Sequence, residues 1–199
     1  MGYILKASNA KGESGLNRYI SMLAGNTATP VIIDTGAMFP IAMAVVGSTN
    51  LSYIEFTSIP STYKHLQLRF FGGFNTSNAS GLTYINGDTT NSNYYSHHMQ
   101  GNGSAASSQN YNVPYNPIAN GNTALTPSSY TMDFLDYTST AKRKVIRSLG
   151  GYDANGTGQI YFSSVLWNNT AAINAIRIQC DGGYSWTNGV RAALYGILG

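Results

Sequence analysis

Apolar and polar residues alternate along most of this chain. From residue 51 onward, Leu66-Gln67-Leu68-Arg69-Phe70, Tyr130-Thr131-Met132-Asp133-Phe134 and Ile160-Tyr161-Phe162 follow the two-residue repeat of a strand with one face on a core. Val145, Ile146 and Leu149 mark another strand, and residues 173–180 and 190–197 supply the last two. Turn-forming residues separate these runs, including Gly72-Gly73, Asn86-Gly87-Asp88 and Asp181-Gly182-Gly183. Many short strands with turns between them predict an all-β fold, an antiparallel β-sandwich or jelly roll. The strand 190–197 belongs inside it, with Leu194 in the core, because Leu194 and Gly196 alternate with Tyr195 and Ile197 and neither face suits open solvent.

Residues 1–48 differ in character. Ser14 is placed to cap a short helix whose apolar positions Leu16, Tyr19, Ile20 and Leu23 share a face, with Gly25 as its stop. A helix of about ten residues does not stand alone in water, so these four side chains form a candidate attachment arm that packs on its own domain or on a partner. Thr29-Pro30-Val31-Ile32-Ile33-Asp34-Thr35-Gly36 reads as extended chain that either docks on a neighbouring subunit or completes its own sandwich. The expected division is an arm and helix over 1–48, for attachment or oligomer contact, and a β-sandwich domain over 49–199.

Residues 91–129 look irregular, with His97-His98, Gly101-Asn102-Gly103-Ser104 and prolines 114, 117 and 127. A loop of that length is usually functional or ordered by a neighbour, which makes it a candidate contact surface. Tyr94, Tyr95, Tyr111, Tyr115, Tyr184 and Trp186 fall in or beside expected loops, where aromatic rings give large contact area at low entropy cost. They would serve subunit contacts or sugar stacking equally well. Trp167, in Val165-Leu166-Trp167, is expected in the core.

Composition narrows the choice. The 199 residues suffice for one hydrophobic core. Only 10% are charged, against about 25% in an ordinary domain, so the surface is polar but nearly uncharged, as suits display in many copies or glycan binding. With 43% hydrophobic residues the chain is no disordered polymer. The net charge of +3 concentrates only in Lys142-Arg143-Lys144 with Arg147, which a strand would split between two faces, so nucleic-acid binding is not expected. The single cysteine, Cys180, shares a strand face with Ile176 and Ile178 and reads as a buried apolar residue. No apolar run is long enough to insert in a membrane, and no signal pattern opens the chain, so synthesis and assembly in a cytoplasm are expected.

Several phrases then point to a family. Ser61-Thr62-Tyr63-Lys64-His65-Leu66-Gln67-Leu68-Arg69, Tyr84-Ile85-Asn86-Gly87-Asp88, Asn93-Tyr94-Tyr95-Ser96-His97-His98, Asp133-Phe134-Leu135-Asp136-Tyr137, Ser163-Ser164-Val165-Leu166-Trp167 and the closing Ala193-Leu194-Tyr195-Gly196-Ile197 follow one another over residues 50–199. In this order they resemble a module of tailed-bacteriophage virion structural proteins. The ending departs from that pattern at Asn188-Gly189-Val190-Arg191-Ala192-Ala193. The resemblance implies a virion component, part of a tail or another external structure.

Candidate chemistry is sparse. His97 and His98 would face opposite ways on a strand, and no cysteine or carboxylate cluster lies nearby to complete a metal site. Asp153-Ala154-Asn155-Gly156-Thr157-Gly158 begins like a calcium loop but lacks the closing Glu, and reads as a hairpin turn. Asp133 and Asp136, three apart, would take opposite faces of a strand, and there is no nucleophile elbow or phosphate loop. The expectation is a non-enzymatic protein without cofactor or metal, on the outside of a bacteriophage virion. It would be homotrimeric by analogy with phage sandwich proteins, bound to major capsid or tail proteins as capsid decoration or cement. The alternative is a tail appendage or fibre module that binds a host receptor or surface glycan.

Overall fold

The computed structural model describes residues 38–47, 51–76, 79–116 and 126–198. Among them the chain is all-β, with two antiparallel sheets and no α-helix. The strands are β1 (Met38–Val45), β2 (Tyr53–Phe56), β3 (His65–Gly72), β4 (Gly81–Ile85), β5 (Tyr94–Gly101), β6 (Ala106–Tyr111), β7 (Tyr115–Asn116), β8 (Ser128–Phe134), β9 (Lys144–Asp153), β10 (Gly158–Trp167), β11 (Ile176–Cys180) and β12 (Arg191–Ile197). Eight form one sheet in the order β1-β12-β3-β8-β9-β10-β5-β6, and four form the other in the order β2-β11-β4-β7. One core of buried side chains takes Leu66, Leu68, Met132 and Leu194 from the large sheet and Ile54, Ile85, Ile176 and Ile178 from the small one, as in a β-sandwich.

Several sequence expectations hold. Leu194 is fully buried on β12, with sheet neighbours on both sides. Cys180 is buried beside Ile176 and Ile178, and burial pushes its thiol up to about 12. Residues 154–157 close the β9–β10 hairpin, with the Ala154 amide donating to the Thr157 carbonyl. The N-terminal helix, with Leu16, Tyr19, Ile20 and Leu23, and the segment 29–36 lie outside the described residues. Of the expected arm, residues 38–45 are β1, an edge strand paired with β12. The expected irregular stretch 91–129 is corrected, because β5, β6 and β7 lie within it. The misleading signal was β6, whose Ala-Ser-Ser-Gln-Asn-Tyr side chains are all exposed; backbone pairing with β5 holds it in the sheet.

Residues of the recurring sequence phrases fasten strands to one another. A Cβ on Gly196 of β12 would come within 2.2 Å of the Tyr63 ring, so only glycine lets that ring lie against the strand. His65 of β3 accepts the Asp136 backbone N–H at Nδ1, 2.9 Å away, beyond the end of β8. The Asn86-Gly87 turn has φ of 51° and 71°, the left-handed pair of a tight hairpin. There the Asn86 side chain donates to the Ala172 carbonyl and accepts from the Asn174 and Ala175 amides. Asp88 accepts the Trp167 indole N–H and the Asn93 amide, each at 2.9 Å. Trp167 is buried, as expected.

Candidate functional site

Strands β9, β10 and β5 place apolar residues on both sides of the large sheet. Toward the core they bury Ile146, Val165, Trp167, Tyr161 and Tyr94, together with small polar Ser148, Ser163 and Ser96. The Ser148 hydroxyl donates to Asn116 Oδ1 of β7 at 2.9 Å and bonds the Ser163 hydroxyl, while Asn116 Nδ2 reaches Met132 Sδ at 3.2 Å. This buried polar joint ties the small sheet to the large one, and its space cannot hold bulkier apolar groups without orphaning Asn116.

Further apolar groups sit outside. Met99, Leu149, Ile160 and Phe162 are 62%, 54%, 60% and 50% exposed. Strand register sets Met99, Phe162 and Leu149 side by side in one row across β5, β10 and β9. A second row of Tyr95, Leu166 and Val145 lies further along the same strands. Between the two runs a polar row, His97, Ser164, Arg147 and Asp133, continuing onto β8. The face therefore reads apolar, polar, apolar along the strands. A depression of about 410 Å³ opens on it, lined by His97, Met99, Ser108, Asn110, Phe162 and Ser164.

The expected contact residues divide. Tyr95 and His97 are exposed on this outer face. Tyr111 is exposed and Tyr115 half-buried, and both pack on His98 at the open edge of the sandwich, with ring centroids 5.6 and 5.3 Å away. His98 is a correction: it is buried on the inner face, and burial lowers its pKa. The opposite facing of His97 and His98 agrees with a strand. Tyr94 is also corrected, being fully buried, with its hydroxyl donating to the Asp88 carbonyl at 2.8 Å and accepting the Ile85 N–H at 3.0 Å. Trp186 is buried too, between the rings of Phe70 and Phe74 at 5.0 and 4.6 Å. These two were assigned to loops, but their rings fill core space near strand ends. Tyr184 is exposed in the β11–β12 connection and takes no part in the outer face.

Charged groups build no other site among the described residues. Lys144 is buried, its Nζ donating to the carbonyls of Ser139, Lys142 and Thr170, and burial lowers its pKa. Lys142 instead joins Lys64 around Asp136, at 3.6 and 2.9 Å. The hydrogen bond from Lys64 is the main reason the Asp136 carboxyl sits below its ordinary range. Asp136 lies in the turn after β8 with φ of 48°, not on the strand, while Asp133 remains on β8 and accepts a hydrogen bond from Gln67 at 2.9 Å. No group of three His, Cys, Asp or Glu among the described residues is arranged to hold a metal ion.

Sequence reasoning passed over Met99, Leu149, Ile160, Phe162 and Val145 as surface residues. The usable signal was adjacency: in Val145-Ile146 and Val165-Leu166-Trp167 consecutive apolar residues must populate both faces of a strand. Compared with family models, curated proteins and solved structures, the chain has no match.

Proposed function

We propose that this chain is a non-enzymatic structural protein displayed on the outside of a bacteriophage virion, as a homotrimer that decorates the capsid. The observation that carries this reading is the apolar outer face of β9, β10 and β5 on a chain with few charges. Contiguous exposed apolar surface of this kind marks a site of protein association, and a nearly uncharged surface lets like copies crowd together. The phage-like motifs support it through their positions on β3, β12 and the Asn86-Gly87 turn. In this reading the two sheets are a jelly roll widened by the β5–β6 hairpin and by β1.

Attachment to major capsid or tail proteins is assigned to residues 1–37, which carry Leu16, Tyr19, Ile20 and Leu23. Because β1 is paired in the sheet, a truncation that tests this removes residues 1–37 and stops short of Met38. The truncated protein should keep its circular-dichroism spectrum and lose co-sedimentation with isolated particles. Normal co-sedimentation would refute the assignment.

The depression beside Phe162 favours one second reading, a tail module that binds a host-surface glycan. An aromatic floor ringed by His97, Ser108, Asn110 and Ser164 has the make-up of a sugar subsite, and its volume of about 410 Å³ suits a small ligand. Saturable binding of host polysaccharide, lost in Phe162→Ala, would support that reading over decoration.

A further inference from the structure

We infer that the outer face of β9, β10 and β5 is the surface through which copies of this chain join one another. This rests on the homo-oligomer of the proposed function and names the contact within it.

Three observations favour a second copy as the occupant. The first is the band pattern. Met99, Phe162 and Leu149 form one apolar row and Tyr95, Leu166 and Val145 another, on either side of the polar row His97, Ser164, Arg147. Around a three-fold axis each copy can set its first apolar row against the second row of the next, a heterologous contact that closes after three copies. The second is charge. Arg147 and Asp133 are cross-strand partners within the polar row, so one contact offers both signs and a neighbour's Asp133 can meet Arg147. A partner surface of one sign would leave one of these two charges opposed by its like.

The third is area. With strands about 4.8 Å apart and about 3.4 Å per residue, eight strands of some seven residues present a face of about 900 Å². A stable association needs about 800 Å² from each partner, more than the roughly 340 Å² that β9, β10 and β5 present on the same spacings, so the contact centred on them extends across most of the large sheet. Met99, Ile160, Leu149 and Phe162, each at least half exposed, cluster at its β5–β10–β9 end; Met43, Val45 and Phe71 are equally exposed toward β1 and β3, and the polar Ser129 and Thr131 of β8 lie between the two groups.

Sedimentation velocity of the full chain tests this, with Phe162→Asp and Leu149→Asp as variants. Both positions are half-exposed, so the changes should leave the circular-dichroism spectrum and melting cooperativity of the domain intact. The wild-type protein should sediment as one oligomer, and each variant should dissociate at concentrations at least tenfold higher. Gln179→Glu, on the outside of the small sheet, should assemble as the wild type does. A wild-type protein that is monomeric at every concentration would overturn both the homo-oligomer and the face. An oligomer that survives both variants would overturn the face alone. A variant that loses its cooperative melt would be replaced by Met99→Ser, expected to weaken assembly in the same direction, and unchanged assembly there would also overturn the assignment.

Discussion

The two sheets finish their outer surfaces in opposite ways. On the small sheet, Arg177 of β11 pairs with Glu55 of β2 through Nε–Oε1 and Nη2–Oε2 contacts of 3.1 and 3.4 Å, and its guanidinium lies 4.4 Å from the centre of the Tyr53 ring. The charged groups there are paired and stacked on an aromatic ring at the water-facing surface. On the large sheet the same position in the architecture carries Met99, Leu149, Ile160 and Phe162 with no covering element among the described residues. A sheet that faces solvent for good alternates apolar-in with polar-out; one that carries apolar groups on both faces is built to be covered twice. In the proposed assembly the small sheet is complete within one copy, and the large sheet is completed by another.

The sharpest way to break this comparison sets two leucines of the large sheet against each other. Leu194 faces the core and is fully buried, whereas Leu149 is 54% exposed on the outside. Leu194→Ala should cost about 2–5 kcal/mol by emptying a packed site, which lowers the melting temperature of the domain clearly. Leu149→Ala, measured on monomer at low concentration, should stay within about 0.5 kcal/mol. Equal losses in calorimetry would mean that the outer face is already packed within one copy.

How much of this was legible in the sequence differs between the two faces. The core was readable wherever alternation was clean, as in β3 and β8, where Leu66, Leu68, Phe70, Tyr130, Met132 and Phe134 all point inward. It was ambiguous in β9 and β10. There Tyr161 is inside while Ile160 and Phe162 are outside, although the pattern alone marks the latter two as the apolar face. A one-residue slip would exchange the faces, and hydropathy does not choose between them. What chooses is long-range: the Trp167 indole reaches Asp88, and Ser148 reaches Asn116. Partners 79 and 32 residues away leave no local trace in the chain. The same limit explains Tyr94, which looks like a loop aromatic until its hydroxyl is seen between Asp88 and Ile85.

A smaller effect sharpens the account of the small sheet. Glu55→Gln removes the charge from a partly exposed ion pair, for which about 0.2–1 kcal/mol is the usual range. Chemical denaturation should register that loss and sedimentation should register none, since the Glu55–Arg177 pair belongs to a finished surface. Altered assembly would show that the small sheet also makes contacts between copies.

The smallest effect is a pH dependence at the open edge between the sheets. His98 packs against Tyr111, Tyr115 and Tyr161, and burial holds its pKa below the ordinary 6.5. A lowered folded pKa means that the unfolded chain takes up the proton first. The stability His98 contributes is therefore full above pH 6.5 and declines as pH falls below it toward the folded pKa. Melting temperatures across that window should fall with decreasing pH in the wild type, and this slope should shrink in His98→Phe. An unchanged slope in the variant would assign the titration elsewhere.

The central claim is that copies of this chain stand on the outside of a phage particle and bury the outer face of β9, β10 and β5 against one another. A reconstruction of the whole virion tests it directly. The account predicts exterior density that fits the two sheets, in clusters of three, with Met99, Leu149, Ile160 and Phe162 at the contacts between copies. Density in which that face looks into solvent, or a particle that contains no copy of the chain, would contradict it.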